Sequence, residues 1–202
     1  LGEEEGEAST DSSPDRSAAD APPEAGMQLR GRRGAVSEER LIAAGFAADQ
    51  ASEIVGRADA IAMQRLNTQY QAAREGWMDT DRYREAMSAL PDVREELTAS
   101  YGDDAYDRYL YASGRPNRLV VRDVLQDSPA GAAGLQAGDT VLAMADERIY
   151  STRDLMAVAS SGSEGETVPL VVQRGDVTFE LYVPRGPLGI RGGRGFEAPR
   201  TP

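Results

Sequence analysis

The run from Leu119 to Leu142 constrains the fold more than any other stretch, because it dictates a strand, a capped turn of helix, a glycine turn and a second strand in succession. Leu119-Val120-Val121 opens it as an apolar, β-branched segment. Ser128 can accept a hydrogen bond from a free N–H of the next turn, and Pro129 suits the first helical position, where no donor is needed. Gly134 can adopt the left-handed conformation that ends such a helix, with Leu135 folding back onto it. Gly138-Asp139 then turns the chain into the apolar strand Thr140 to Met144.

The pattern continues to the C-terminal side. Asp146-Glu147-Arg148 reads as a weak turn, Ile149 as inward, and Ser151 as the cap of a helix over about Thr152 to Ser160. Gly162 and Gly165 return the chain to a strand, Thr167 to Gln173, in which Pro169 favours an edge or an outward position. Arg174-Gly175-Asp176 occurs in cell-adhesion ligands, but between two alternating strands it reads as a hairpin turn into Val177 to Val183.

The motif V-x-x-V-L-x-x-S-P-A-x-x-A-G-L-x-x-G-D-x-V-L from Val121 to Leu142, continued by Ser151-Thr152-Arg153-Asp154-Leu155, resembles the PDZ domains of bacterial envelope proteases and secretion proteins. The resemblance covers about residues 117 to 190. It implies recognition of a partner's C-terminus by strand addition between a strand and a helix, with the carboxylate held by N–H groups of a glycine loop. In bacterial relatives that loop is similar to L-G-I, and in protease-type members it precedes the first strand of the motif. Gly114-Arg115-Pro116-Asn117-Arg118 has no such sequence. A matching phrase comes instead after the last hairpin, at Arg185-Gly186-Pro187-Leu188-Gly189-Ile190. A second departure is Asp146-Glu147-Arg148, where related domains usually have Asn-Gly.

The expectation is a circular swap, in which Leu188-Gly189-Ile190 enters from the C-terminal side and takes the place of the missing first strand. Gly186 and Gly189 would shape the loop, and Leu188 and Ile190 would line a pocket opposite Thr152, Leu155, Met156 and Ala159 of the helix. Arg185 would add attraction for the carboxylate. The competing reading is that Leu188 and Ile190 plug the core edge and leave no groove. Substituting Gly189→Leu is expected to weaken binding while changing thermal stability much less.

Upstream the periodicity is helical. Ser37 caps a short helix ending at Gly45, and a longer one runs from about Ala48 to Glu75 with Ile54, Val55, Ala58, Ile61, Ala62, Leu66 and Tyr70 on one face. Asp79 or Thr80 caps a third helix, Pro91 starts a fourth, and Asp103 or Asp104 caps a fifth that stops at Gly114 and Pro116. The tyrosines at 101, 106, 109 and 111 read as a half-buried junction with the PDZ segment. The phrase Gly102 to Tyr109 is also faintly similar to a segment of helical lipase-folding chaperones. The fold class is therefore α+β: a helical bundle, then a small PDZ barrel or sandwich of roughly five or six strands with two helices. The expected divisions are 1–35 acidic linker, 36–116 helical domain, 117–192 PDZ domain and 193–202 flexible tail, whose Phe196 could fold back as a self-ligand.

Composition narrows the chemistry. There is no His, Cys or Lys, and all 22 basic residues are Arg. That removes Ser-His, Cys-His and Ser-Lys nucleophile pairs, Schiff bases, soft-ligand zinc sites and disulfides. Asp103, Asp104 and Asp107 lack the spacing of a calcium loop, so no metal or cofactor is expected. The net charge is -12 without a basic block, which argues against nucleic acid. Residues 1–26 hold eight acidic residues and one Arg, and read as a disordered spacer or docking tail, with Arg30, Arg32 and Arg33 at its end.

The leading expectation is a non-enzymatic peptide-binding adaptor of the bacterial periplasm, tethered to the inner membrane by a segment outside this chain, with no oligomeric state assigned. Two other readings stand beside it: the substrate-binding part of an envelope protease, and a scaffold or folding helper that binds through its helices.

Overall fold

The computed structural model describes residues 36–199, which belong to one compact unit. The acidic head, the arginines at 30, 32 and 33, and residues 200–202 lie outside the described residues.

Five helices come first: α1 (Glu38–Ala43), α2 (Ala48–Glu75), α3 (Asp81–Ser88), α4 (Val93–Tyr101) and α5 (Ala105–Ala112). Ser37 accepts from the Arg40 N–H as the cap of α1, and Asp92 accepts from the Arg94 N–H at the start of α4. Thr80 precedes α3 but makes no capping bond, because its hydroxyl donates to the Trp77 carbonyl. Leu41, Ile54, Leu97 and Tyr109 form the centre of the helical core. That core reaches only the first half of α2. Leu66 and Tyr70, expected on its inward face, are 57% and 65% exposed. A helix of 28 residues is about 42 Å long and outruns a bundle whose other helices have nine residues or fewer. Ala72, Trp77 and Tyr83 close its far end against α3.

The remainder is one antiparallel sheet: β1 (Arg118–Val124), β2 (Thr140–Met144), β3 (Glu147–Arg148), β4 (Thr167–Arg174), β5 (Val177–Pro184) and β6 (Ile190–Gly195). The order is β5-β4-β2-β1-β6, with β3 pairing with β2. Two short helices, α6 (Pro129–Ala132) and α7 (Thr152–Ser160), pack against it. The end strands β5 and β6 do not pair, so the expected barrel or sandwich is an open sheet. Its core holds Leu119, Val121, Val141, Met144, Leu155, Leu170, Val172 and Val183.

The turns follow local chemistry. Ser128 caps α6 by accepting from the Gly131 N–H, with Pro129 at the first helical position. The β2–β3 turn is Ala145-Asp146, both at positive φ as a tight hairpin demands, so Glu147 and Arg148, expected within the turn, pair with β2 as β3 instead. The Arg174–Asp176 tripeptide joins β4 to β5, and Arg174 makes a two-point bond to the buried carboxylate of Asp139 (2.7 and 2.8 Å). That pair, with the Gln136 N–H, holds the Asp139 carboxyl below its ordinary range.

Helices and sheet meet through α4 and α5. Tyr106 stacks on Tyr109 and meets Tyr150 edge-on at 5.3 Å, while Tyr101 turns into the bundle against Phe46. Buried Asp107 takes a two-point bond from Arg118 of β1, whose Nε reaches Glu197 at 2.7 Å. Asn117 donates to Asp107 and exchanges two hydrogen bonds with the backbone of Glu197. This clasp fastens the chain beyond β6 to the junction.

Candidate peptide-binding groove

β6 enters from the C-terminal side and adds antiparallel to β1, from Val124↔Ile190 to Arg118↔Gly195. Gly193, Arg194 and Gly195, expected in a flexible tail, instead complete this strand, since β1 offers a full row of ladder partners. Phe196 just beyond them is exposed and does not fold back as a self-ligand.

The loop before β6 is set by its carbonyls. Leu188 O accepts from Ala130 N–H at 3.0 Å, and Gly189 O accepts from Leu125 N–H at 2.8 Å. In a trans peptide the carbonyl and the following N–H point in opposite directions. The Gly189 N–H is therefore aimed away from α6, and the Ile190 N–H away from β1 toward the free edge. Among the described residues, neither Leu188 N–H nor Gly189 N–H has an acceptor. Gly189 sits at φ +74, so successive amides turn toward one side, the geometry of an anion-binding nest. Further along, Val121 spends its N–H and C=O on Asp139 and Gly138, which makes Val121/Gly192 a non-hydrogen-bonded pair. By the alternation of the ladder, Gly192 and Arg194 also present their backbone groups to the free edge.

α7 lies across from this edge. The Gly186 N–H donates to Ala159 O at one end, and at the other a Cβ on Gly192 would stand 2.6 Å from both Thr152 Oγ1 and Leu119 Cδ1. Gly192 is thus what lets α7 approach the strand.

The expected site residues divide. Leu155, Ala159 and Leu188 are buried in the sheet core, and Ile190 packs partly buried against it. Met156 is 64% exposed, and Thr152 is exposed at the start of α7. Arg185 is not a free charge. It donates to Val158 O, Ser161 Oγ and Glu166, and so closes the end of α7 instead of facing a ligand. Gly189 also differs from expectation: a Cβ there would lie 2.4 Å from Ser128 Cβ, so its replacement strains the fold as well as the loop.

A cavity of about 410 Å³ lies at the Thr152 end, between the start of α7 and Gly192-Gly193-Arg194. Sequence reasoning missed this end because glycine weakens strands, and Gly193-Arg194-Gly195 reads as tail. The available signal was the alternation that places Ile190, Gly192 and Arg194 on one face.

A sheet edge, a facing helix and a glycine loop with unused amides define a peptide-binding module of the PDZ class. Residues 93–184 match the PDZ domain family model, so the chain carries a PDZ domain. The match begins at α4 and ends with β5, leaving β6 outside it. A probable periplasmic serine endoprotease, DegP-like, from Ectopseudomonas mendocina is 30% identical over 103 residues, 51% of this chain and 20% of that protein. One of the same description from Pseudomonas putida strain F1 is 28% identical over 99 residues, 49% of this chain and 19% of that protein. The chain thus spans about a fifth of the length of these relatives. The solved PDZ domain of an SdrC-like protein from Listeria monocytogenes has 22% identity, covers 38% of this chain and 87% of its own, and gives a TM-score of 0.33.

Proposed function

We propose that this chain is a periplasmic adaptor that captures the C-terminus of a partner protein by adding it as a strand to β6, opposite α7. The observation that carries the reading is the Gly189 amide, without an acceptor among the described residues, beside an Ile190 amide turned toward the free edge because the Gly189 carbonyl is bonded to Leu125. A chain-end carboxylate supplies the acceptor that the Gly189 amide lacks, and the free edge supplies ladder partners for the residues before it. Leu188, Gly189, Ile190, Gly186, Thr152, Leu155, Met156 and Ala159 form or support this groove, with Arg185 holding its closed end. The named relatives support placement in the periplasm and service to a protease, either as a separate adaptor or as its substrate-binding part.

The test is an NMR titration of 15N-labelled protein with one apolar-ended peptide, as the free acid and as the C-terminal amide. The free acid should shift the amides of Gly189, Ile190 and Gly192, and the amide form should bind much more weakly. Equal binding of the two forms, or shifts confined to the helices, would sink the reading. A second reading has its own observation: Met63, Leu66 and Tyr70 expose apolar surface along one side of α2, which suits a scaffold. Shifts confined to α2 would favour it.

A further inference from the structure

We infer that the Thr152 end of the groove selects an acidic side chain four residues before the partner's C-terminus. The inference rests on the strand-addition reading above and adds a ligand preference to it.

The cavity there is lined by Arg115, Arg118, Arg153 and Arg194, and by no acidic residue. Arg118 is already neutralised by Asp107 and Glu197. Arg115, Arg153 and Arg194 are exposed and make no ion pair among the described residues. The nearest acid on α7, Asp154, is occupied by Tyr150 N–H, Ser151 Oγ and Arg94. Three cations therefore converge on one end of a groove in a chain whose net charge is -12. An acidic ligand removes their mutual repulsion, whereas a basic one adds to it.

The register sets the position. An antiparallel ladder advances one residue for one, so a terminal residue seated at Ile190 puts the residue four places upstream opposite Arg194. Directly opposed residues share a face, and Arg194 shares the face of Ile190 and Gly192, toward α7. An Asp or Glu at that place would meet Arg194 across the strands, with Arg153 and Arg115 beside it.

The experiment measures fluorescence anisotropy with labelled peptides that share one apolar free-acid terminus and differ only at the fourth residue before it: Glu, Gln or Arg. The Glu peptide should bind about fivefold or more tighter than the Gln peptide, with the gap shrinking as salt is added. The Arg153→Gln/Arg194→Gln variant should remove the gap, and Arg153→Glu/Arg194→Glu should invert it in favour of the Arg peptide. Both positions are exposed, so an unchanged thermal transition verifies the fold. Equal binding of all three peptides overturns the charge selection and leaves strand addition standing. A Glu preference that survives both variants also overturns it. Failure of every peptide to bind removes both readings together.

Discussion

Gly189 serves two demands at one position, and only the first is readable from its type. Its φ of +74 lies where a side chain costs about 1–2 kcal/mol. The second demand is contact with Ser128, 2.4 Å from where a Cβ would stand. Gly189→Ala should therefore lower the thermal midpoint by several degrees, as expected for a loss of roughly 1–3 kcal/mol. Ser128→Gly in the same chain should recover part of that loss by removing the clash. No recovery in the double variant would mean that the backbone angle alone matters. A neutral Gly189→Ala would mean that the loop is not held as described.

At the scale of elements, the uneven burial of α2 predicts uneven stability. Its first half is locked by Ala51 and Ile54 against α1, α4 and α5, while α3 has no buried residue of its own. Trp77, the only tryptophan, sits in this outer hairpin, donating to Glu75 and lying under Arg82. Elements with few buried contacts open at lower free energy than the core. In a urea titration the Trp77 fluorescence change should precede loss of the far-ultraviolet signal from the whole chain. Coincident transitions would show α2 and α3 to be coupled to the sheet. The bounds of α2 were legible because Gly76 stops a long apolar period. The exposure of Leu66 and Tyr70 was not, because periodicity marks a face without saying how far its neighbours reach.

The whole molecule depends on the junction where α4 and α5 meet β1, β3 and Tyr150. Burial pushes the Tyr150 hydroxyl up to about 12, and burial raises Tyr106 as well. An unfolded tyrosine ionises near pH ~10, so the folded state holds its proton more tightly. Stability from this burial is complete below the unfolded value and is lost as pH rises from about 10 toward 12. Tyr150→Phe should flatten that alkaline loss, measured as the thermal midpoint against pH. An unchanged slope would place the ionisation elsewhere, with Tyr106 and Tyr109 the next groups to replace.

Local chemistry alone determined the serine caps at Ser37, Ser128 and Ser151, the glycine turns, the succession of elements from Val121 to Leu142 and the loop phrase at Leu188-Gly189-Ile190. Each depends on neighbours within a few residues, which a single chain displays directly. Only the tertiary structure decided that Arg185 is spent on α7, that Gly192 and Arg194 belong to the edge strand, and that Arg118 ties α5 to the segment at Glu197. Those outcomes join residues far apart in sequence. Which partner a charge meets is set by how the sheet and helices pack.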